Sequence, residues 1–146
     1  MTLFDPATDD AEALARLHAA CFAESWSAAS LRGLFAGPGV FAFAHPDGFI
    51  LMREAGGEAE ILTLAVAPPA RRQGIARRLV QSAAAHAAGL GAGILFLEVA
   101  TDNQAAIGLY EGLGFIPAGR RKAYYGAQDA LVLKCILPLP NPGEFA

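Results

Sequence analysis

The segment from Glu58 to Val99 most restricts what this chain can become. Glu58 to Ala67 reads as a strand that Pro68-Pro69 stops. From Gly74 to about Ala88, Ile75, Leu79, Val80 and Ala83 recur at helical spacing, and Gly89 offers a left-handed stop. Ile94-Leu95-Phe96-Leu97-Glu98-Val99 is then apolar on both faces except at Glu98, the pattern of a strand covered on both sides. Strand, helix and strand in that order bury a helix against a sheet.

The flanking sequence extends that unit. Asp9-Asp10 precedes Ala13, Leu14, Leu17 and Cys21, one apolar stripe of a helix running to about Phe22. A second short helix follows Ser27 and ends near Gly37-Pro38-Gly39. Val40 to Ala44 and Phe49 to Arg53 form an antiparallel hairpin around His45-Pro46-Asp47-Gly48, and Gly56-Gly57 makes Glu58 to Ala67 the third strand of a meander. Thr101 and Gln104, spaced as a capping box, open a further helix that Gly112 and Gly114 close. Phe115 to Ile116 and Ala130 to Leu137 are the last two strands, separated by an irregular basic and aromatic segment. The order implies an α/β fold with a mixed sheet and helices on its faces, one domain over 1–137 and an extended, proline-rich tail over 138–146.

Composition narrows the function. Hydrophobic residues make up 54% and charged residues 17% of 146, so the chain can bury a sizeable core and is not intrinsically disordered. A net charge of −3 argues against a nucleic-acid partner, which needs a broad basic field. Yet Arg71, Arg72, Arg77, Arg78, Arg120, Arg121 and Lys122 gather seven of eleven cations into two short segments, where something anionic could dock. Ser82 to Leu97 is uncharged but broken by Gly89, Gly91 and Gly93, so no membrane span is expected; nothing in Met1 to Pro6 marks an export signal, and a cytoplasmic location follows by default. Cys21 and Cys135 read as reduced core thiols, and His18, His45 and His86 as surface or half-buried residues without metal-ligand spacing.

Three places could carry chemistry. Arg71-Arg72-Gln73-Gly74-Ile75-Ala76 lies between a strand end and a helix start, where unpartnered amides and the positive end of the helix dipole suit a pyrophosphate; an ordinary Arg-rich helix start is the alternative. Neither a P-loop nor a dinucleotide fingerprint occurs. Glu98, alone in an apolar strand on one face with Phe96 and Ala100, could be raised by desolvation into the range of a general base, or could reach water or a cation at the strand end. Glu58 and Glu60 are rival bases, placed by alternation on one face with Leu62 and Leu64. Tyr110 shares a helical stripe with Ala106, Ile107 and Leu113, where most tyrosines simply fill a core.

Taken in order over Glu58 to Leu133, these pieces resemble the GNAT superfamily of acetyl-CoA-dependent N-acetyltransferases. Leu64-Ala65-Val66, Pro68 and Arg-Arg-Gln-Gly-Ile-Ala are similar to the family's bulged strand and pyrophosphate loop, with Ala76 in place of the commoner final glycine. Leu97-Glu98-Val99, Asn103 to Ile107, Leu109-Tyr110-Glu111, Leu113-Gly114-Phe115, Arg121 and Tyr124-Tyr125 resemble the bacterial ribosomal-protein-alanine acetyltransferases of the RimI type, as Phe22 and Trp26-Ser27 do more weakly. Between Tyr125 and Asp129 the chain is shorter than in typical members.

The resemblance implies a sheet of about seven strands, splayed between the strands ending near Ala67 and Ala100, with the pantetheine arm of acetyl-CoA in the gap. Arg71, Arg72, Gln73, Gly74, Ile75 and Ala76 would hold the pyrophosphate. Backbone amides of Leu64, Ala65 and Val66 would stabilise the oxyanion, and Asn103 would contact the pantetheine arm. Glu98 corresponds to the general base and Tyr110, near the sulfur, to the general acid that protonates the thiolate. Trp26, Tyr124 and Tyr125 would hold the acceptor, a protein N-terminus such as that of a small-subunit ribosomal protein. No metal is implied, and the enzyme would act as a monomer or weak homodimer. A GNAT acting on a small amine or lysine, and a non-catalytic acyl-CoA-binding module, are the alternatives.

Overall fold

Asp10 accepts a hydrogen bond from the Glu12 N–H and starts α1 (Ala11–Cys21); Ser27 caps the Ser30 N–H and starts α2 (Ala28–Phe35). The computed structural model describes residues 1–122 and 128–139. After a short strand β1 (Thr2–Leu3) and these helices come β2 (Val40–His45), β3 (Gly48–Ala55) and β4 (Glu58–Val66). A 3-10 turn at Pro68–Ala70 leads into α3 (Ile75–Gly89), then β5 (Ile94–Ala100), α4 (Gln104–Gly112), β6 (Ile116–Arg121) and β7 (Ala130–Ile136). The seven strands form one sheet in the order β1-β2-β3-β4-β5-β7-β6.

Every neighbouring pair is antiparallel except β4 and β5, whose parallel pairing covers only Glu58↔Ile94 to Glu60↔Phe96. Beyond Glu60 the two strands separate. That splay is the feature on which both clefts below are built.

Each face of the sheet has its own core. α1 and α2 bring Leu14 and Leu31 onto Phe49, Leu51 and Ala65. α3 brings Leu79, Val80 and Ala83 onto Ile50, Met52 and Ile61, and α4 adds Ile107 and Tyr110 to the same core. Each fully buried Leu, Ile or Phe contributes on the order of 1.5–3 kcal/mol.

The α/β class, the mixed sheet and the helices on both faces match the sequence expectation; several local readings do not. Leu51 faces Thr63 but Met52 faces Ile61, so Leu62 is an extra residue in β4. The bulge reverses alternation, and Leu64 joins the α3 core instead of sharing a face with Glu60. β5 is covered on one face only: Leu95, Leu97 and Val99 are buried, while Ile94, Phe96 and Ala100 are half-buried and Glu98 is exposed. The left-handed residue after α3 is Gly91 rather than Gly89. Asn103, not Thr101, caps α4 by accepting from the Ala106 N–H; the Gln104 N–H that a Thr101 cap would need donates to the Asp102 carbonyl at 3.0 Å, and Thr101 Oγ1 accepts from Gln128 Nε2 at 2.6 Å. β6 runs to Arg121, through residues read as irregular, because β7 pairs with it along that length. Cys135 is buried, but Cys21 is only half-buried. His18, read as a surface or half-buried residue, is buried. Among the described residues no helix is long and apolar enough to cross a membrane.

Candidate active site at the sheet splay

Where β4 leaves β5, its last residues keep β3 on one side and lose a main-chain partner on the other. A cleft of about 730 Å³ opens there, bounded by Leu64, Ala65 and Val66 of β4, the turn and start of α3, and Asn103, Ala105, Ala106 and Leu109 at the start of α4. Gly74 precedes α3 with φ +78°, a left-handed conformation natural to glycine, and no side chain caps the helix. Its first amides, and the positive end of the dipole, therefore remain available to an anion. Arg72 also lies in the left-handed region, at φ +67°. Arg71 Nε donates to the Val66 carbonyl at 3.0 Å, pinning the strand end to the turn.

Of the residues expected around the cosubstrate, Leu64, Ala65, Val66, Arg71, Arg72, Gly74, Ile75, Ala76 and Asn103 line this cleft; Gln73 and Tyr110 are not among its lining residues. Tyr110 follows Leu109 and lies one turn beyond Ala106, is 5% exposed, and packs edge-on against Phe115 with centroids 5.4 Å apart. Burial pushes its phenol well above the ordinary value. The cleft also takes Cys21 and Phe22 as wall residues, with the Cys21 thiol donating to the Val66 carbonyl at 3.3 Å. Sequence spacing carried no signal for these two, since α1 is distant in the chain.

A separate cavity of about 700 Å³ lies between α2 and the splay, lined by Trp26, Ser30, Gly33 and Leu34 on one side and by Glu60, Ile61, Leu62 and Glu98 on the other. Glu98 is not desolvated as expected. Its side chain is 41% exposed and paired with Arg121, Nη1 lying 3.1 Å from Oε2 and 3.4 Å from Oε1, the cation alternative weighed for it. Glu60 is paired likewise with Arg53 at 3.2 Å. Trp26 lines this cavity; Tyr124 and Tyr125 lie outside the described residues, as does 140–146 of the tail.

Comparison with known proteins adds an independent line. A family model described as "Acetyltransferase (GNAT) family" matches residues 11–115. The [ribosomal protein bS18]-alanine N-acetyltransferase of Escherichia coli K12 is 40% identical over 80 residues, 52% of this chain and 54% of that protein. The N-alpha-acetyltransferase RimI of Mycobacterium tuberculosis is 41% identical over 73 residues, 50% of this chain and 44% of that one. The chain thus spans about half the length of these curated relatives. Among solved structures, the ribosomal-protein-S18-alanine N-acetyltransferase from Escherichia coli superposes with a TM-score of 0.81 at 28% identity, covering 97% of this chain and 96% of that one. The NatC complex bound to Gag peptide and CoA contains a chain that superposes at 0.79 with 25% identity, covering 94% and 99%. With the family model matching well over half its residues, the chain belongs to the GNAT acetyltransferase family.

Proposed function

We propose that the protein transfers acetyl from acetyl-CoA to the α-amino group of a protein N-terminus, of the kind the ribosomal-protein-alanine acetyltransferases modify. The observation that carries this reading is the pair of clefts at one splay. One offers uncapped amides and arginines suited to a diphosphate, and the other holds Glu98 beside Trp26 and an apolar wall. The family membership and the similarity to the bS18-alanine enzyme support it.

In this reading Gly74, Ile75, Ala76 and the flanking Arg71, Arg72 and Gln73 hold the diphosphate, while Asn103 meets the pantetheine arm. The thioester supplies the activated acetyl group. The acceptor arrives as an ammonium, which is no nucleophile until it loses a proton, and Glu98, directly or through a water it orders, takes that proton. Main-chain N–H groups around Leu64 to Val66 stabilise the negative charge that develops on the carbonyl oxygen. Tyr110, a phenol that is protonated at neutral pH, gives a proton to the departing sulfur. Trp26 walls the acceptor groove, with Tyr124 and Tyr125 holding the peptide backbone.

A panel of peptides and small amines, assayed for thiol release from acetyl-CoA, tests this. The expected result is saturable turnover on peptides with a free N-terminal alanine and none on the same peptides blocked at the α-amine. Saturable turnover confined to small amines or lysine side chains would overturn the acceptor assignment, and binding of CoA without release on any acceptor would overturn the activity.

A further inference from the structure

Residues 22–27, which connect α1 to α2, contribute to both clefts: Phe22 lines the cosubstrate cleft and Trp26 the other cavity. The connection is mostly exposed, and one residue holds both of its ends. The Phe22 N–H donates to the His18 carbonyl at 3.0 Å, and the Trp26 N–H donates to His18 Nδ1 at 3.1 Å. The imidazole is stacked against Phe22 at 4.4 Å and against Trp26 at 4.8 Å, and meets Phe49 of the core at 6.4 Å. His18 is 2% exposed. An imidazole that accepts at Nδ1 carries its proton on Nε2; a second proton, on Nδ1, would set donor against donor at Trp26.

Among the described residues no carboxylate pairs with His18; a cation there would have only the C-terminal end of the α1 dipole and the faces of Phe22 and Trp26. On α1 itself, Arg16 is paired with Asp10, and the Cys21 thiol donates to the Val66 carbonyl. From α2, Arg32 pairs with Glu12. From β3, Phe49 and Leu51 enter this core, while Arg53 pairs with Glu60 and Glu54 accepts from the Gly57 N–H at the far end. From β4, Ala65 enters it, with Glu58 and Glu60 near that strand's opposite end. Glu24 is exposed in the connection itself. Burial accordingly holds the imidazole below the usual histidine range.

We infer that His18 is a positioning residue: its neutral ring ties Phe22 and Trp26 to the domain as walls of the two clefts, and protonation of Nδ1 releases Trp26 and weakens acceptor binding. The last clause rests on the proposed acceptor role of the Trp26 cavity.

Trp26 is the sole tryptophan of the chain, so its fluorescence reports the stack in the intact protein without reference to turnover. As pH falls below about 6.5, the wild type, still folded by far-UV circular dichroism, is expected to show one emission transition. His18→Asn, which offers an acceptor oxygen in place of Nδ1 and does not titrate, is expected to lack it. With acetyl-CoA saturating, acceptor KM should rise about five-fold across that transition while kcat changes less than about two-fold, the size of effect one hydrogen bond carries. His18→Phe, which keeps a stacking ring and loses the acceptor, should show the raised KM already near pH 7.5, with His18→Asn restoring it. Constant Trp26 emission in the folded wild type overturns the inference, as does wild-type KM in His18→Phe. Should no peptide be turned over, the acceptor reading fails by itself, and the emission titration with its loss in His18→Asn still decides whether His18 holds Trp26.

Discussion

Arg121 reaches over β7 to Glu98, its Nη1 lying 3.1 Å from Oε2. The register explains how: Glu98 is opposite Val132, Val132 is opposite Gly119, and Arg121 follows two residues further along the edge strand. Both partners are solvent-reached, at 69% and 41% side-chain exposure, so the pair contributes at most about 1 kcal/mol. Arg121 therefore orients the carboxylate more than it stabilises the fold. Arg121→Met is expected to lower kcat by less than about five-fold and leave the thermal midpoint within about 2 °C, both readable by steady-state assay and calorimetry.

Glu98→Gln removes the carboxylate proposed as proton acceptor while preserving shape and a hydrogen-bonding oxygen. Turnover on a peptide acceptor should fall by about a hundred- to ten-thousandfold, with the acetyl-CoA dissociation constant nearly unchanged in calorimetric titration. A comparable loss in Glu60→Gln, with wild-type rates in Glu98→Gln, would reassign the base to the carboxylate that shares the cavity.

Tyr110→Phe should lower turnover to a similar degree if the phenol protonates the leaving thiolate, and should leave packing against Phe115 intact. It also carries a pH signature. Because burial raises this phenol in the folded state, its contribution to stability is fully present below the unfolded value near 10 and is lost as pH rises past it. Urea midpoints measured between about pH 9 and 11 should fall more steeply for the wild type than for Tyr110→Phe.

Gly74→Ala forces a Cβ into the left-handed region at φ +78°, at a cost of about 1 kcal/mol, and tilts the amides that open α3. Arg71→Ala cuts the tie to the Val66 carbonyl. Each should weaken acetyl-CoA binding by about ten-fold or more, with acceptor KM at saturating cosubstrate altered less. Unchanged cosubstrate affinity in both variants would remove the diphosphate from this turn.

Much of the fold was legible because its signals are local. The helical period of Ile75, Leu79, Val80 and Ala83 and the proline stop at Pro68-Pro69 depend only on neighbours within a few residues. The bulge at Leu62 was not readable by alternation, since a strand period assumes one partner residue for each residue, and pairing with β3 decides otherwise. Thr101 and Gln104 had the spacing of a capping box, but the Gln104 N–H donates to the Asp102 carbonyl, the helix starts at Gln104 and Asn103 takes the cap. His18 looked like a surface residue because an isolated histidine announces neither its stacking partners nor its burial.

Sequence by itself determined the order of elements from α1 to β7, though not the short β1, together with the Arg-Gly helix start and the single carboxylate in β5, because each follows from residue type and short-range spacing. Tertiary structure alone decided that Glu98 is part-exposed beside Arg121, that Cys21 and Phe22 wall a cleft begun by Leu64 to Val66, and that β4 and β5 part after Glu60. Those outcomes depend on contacts between segments distant in the chain, and exposure is a property of what the remaining elements cover rather than of the residue that is left uncovered.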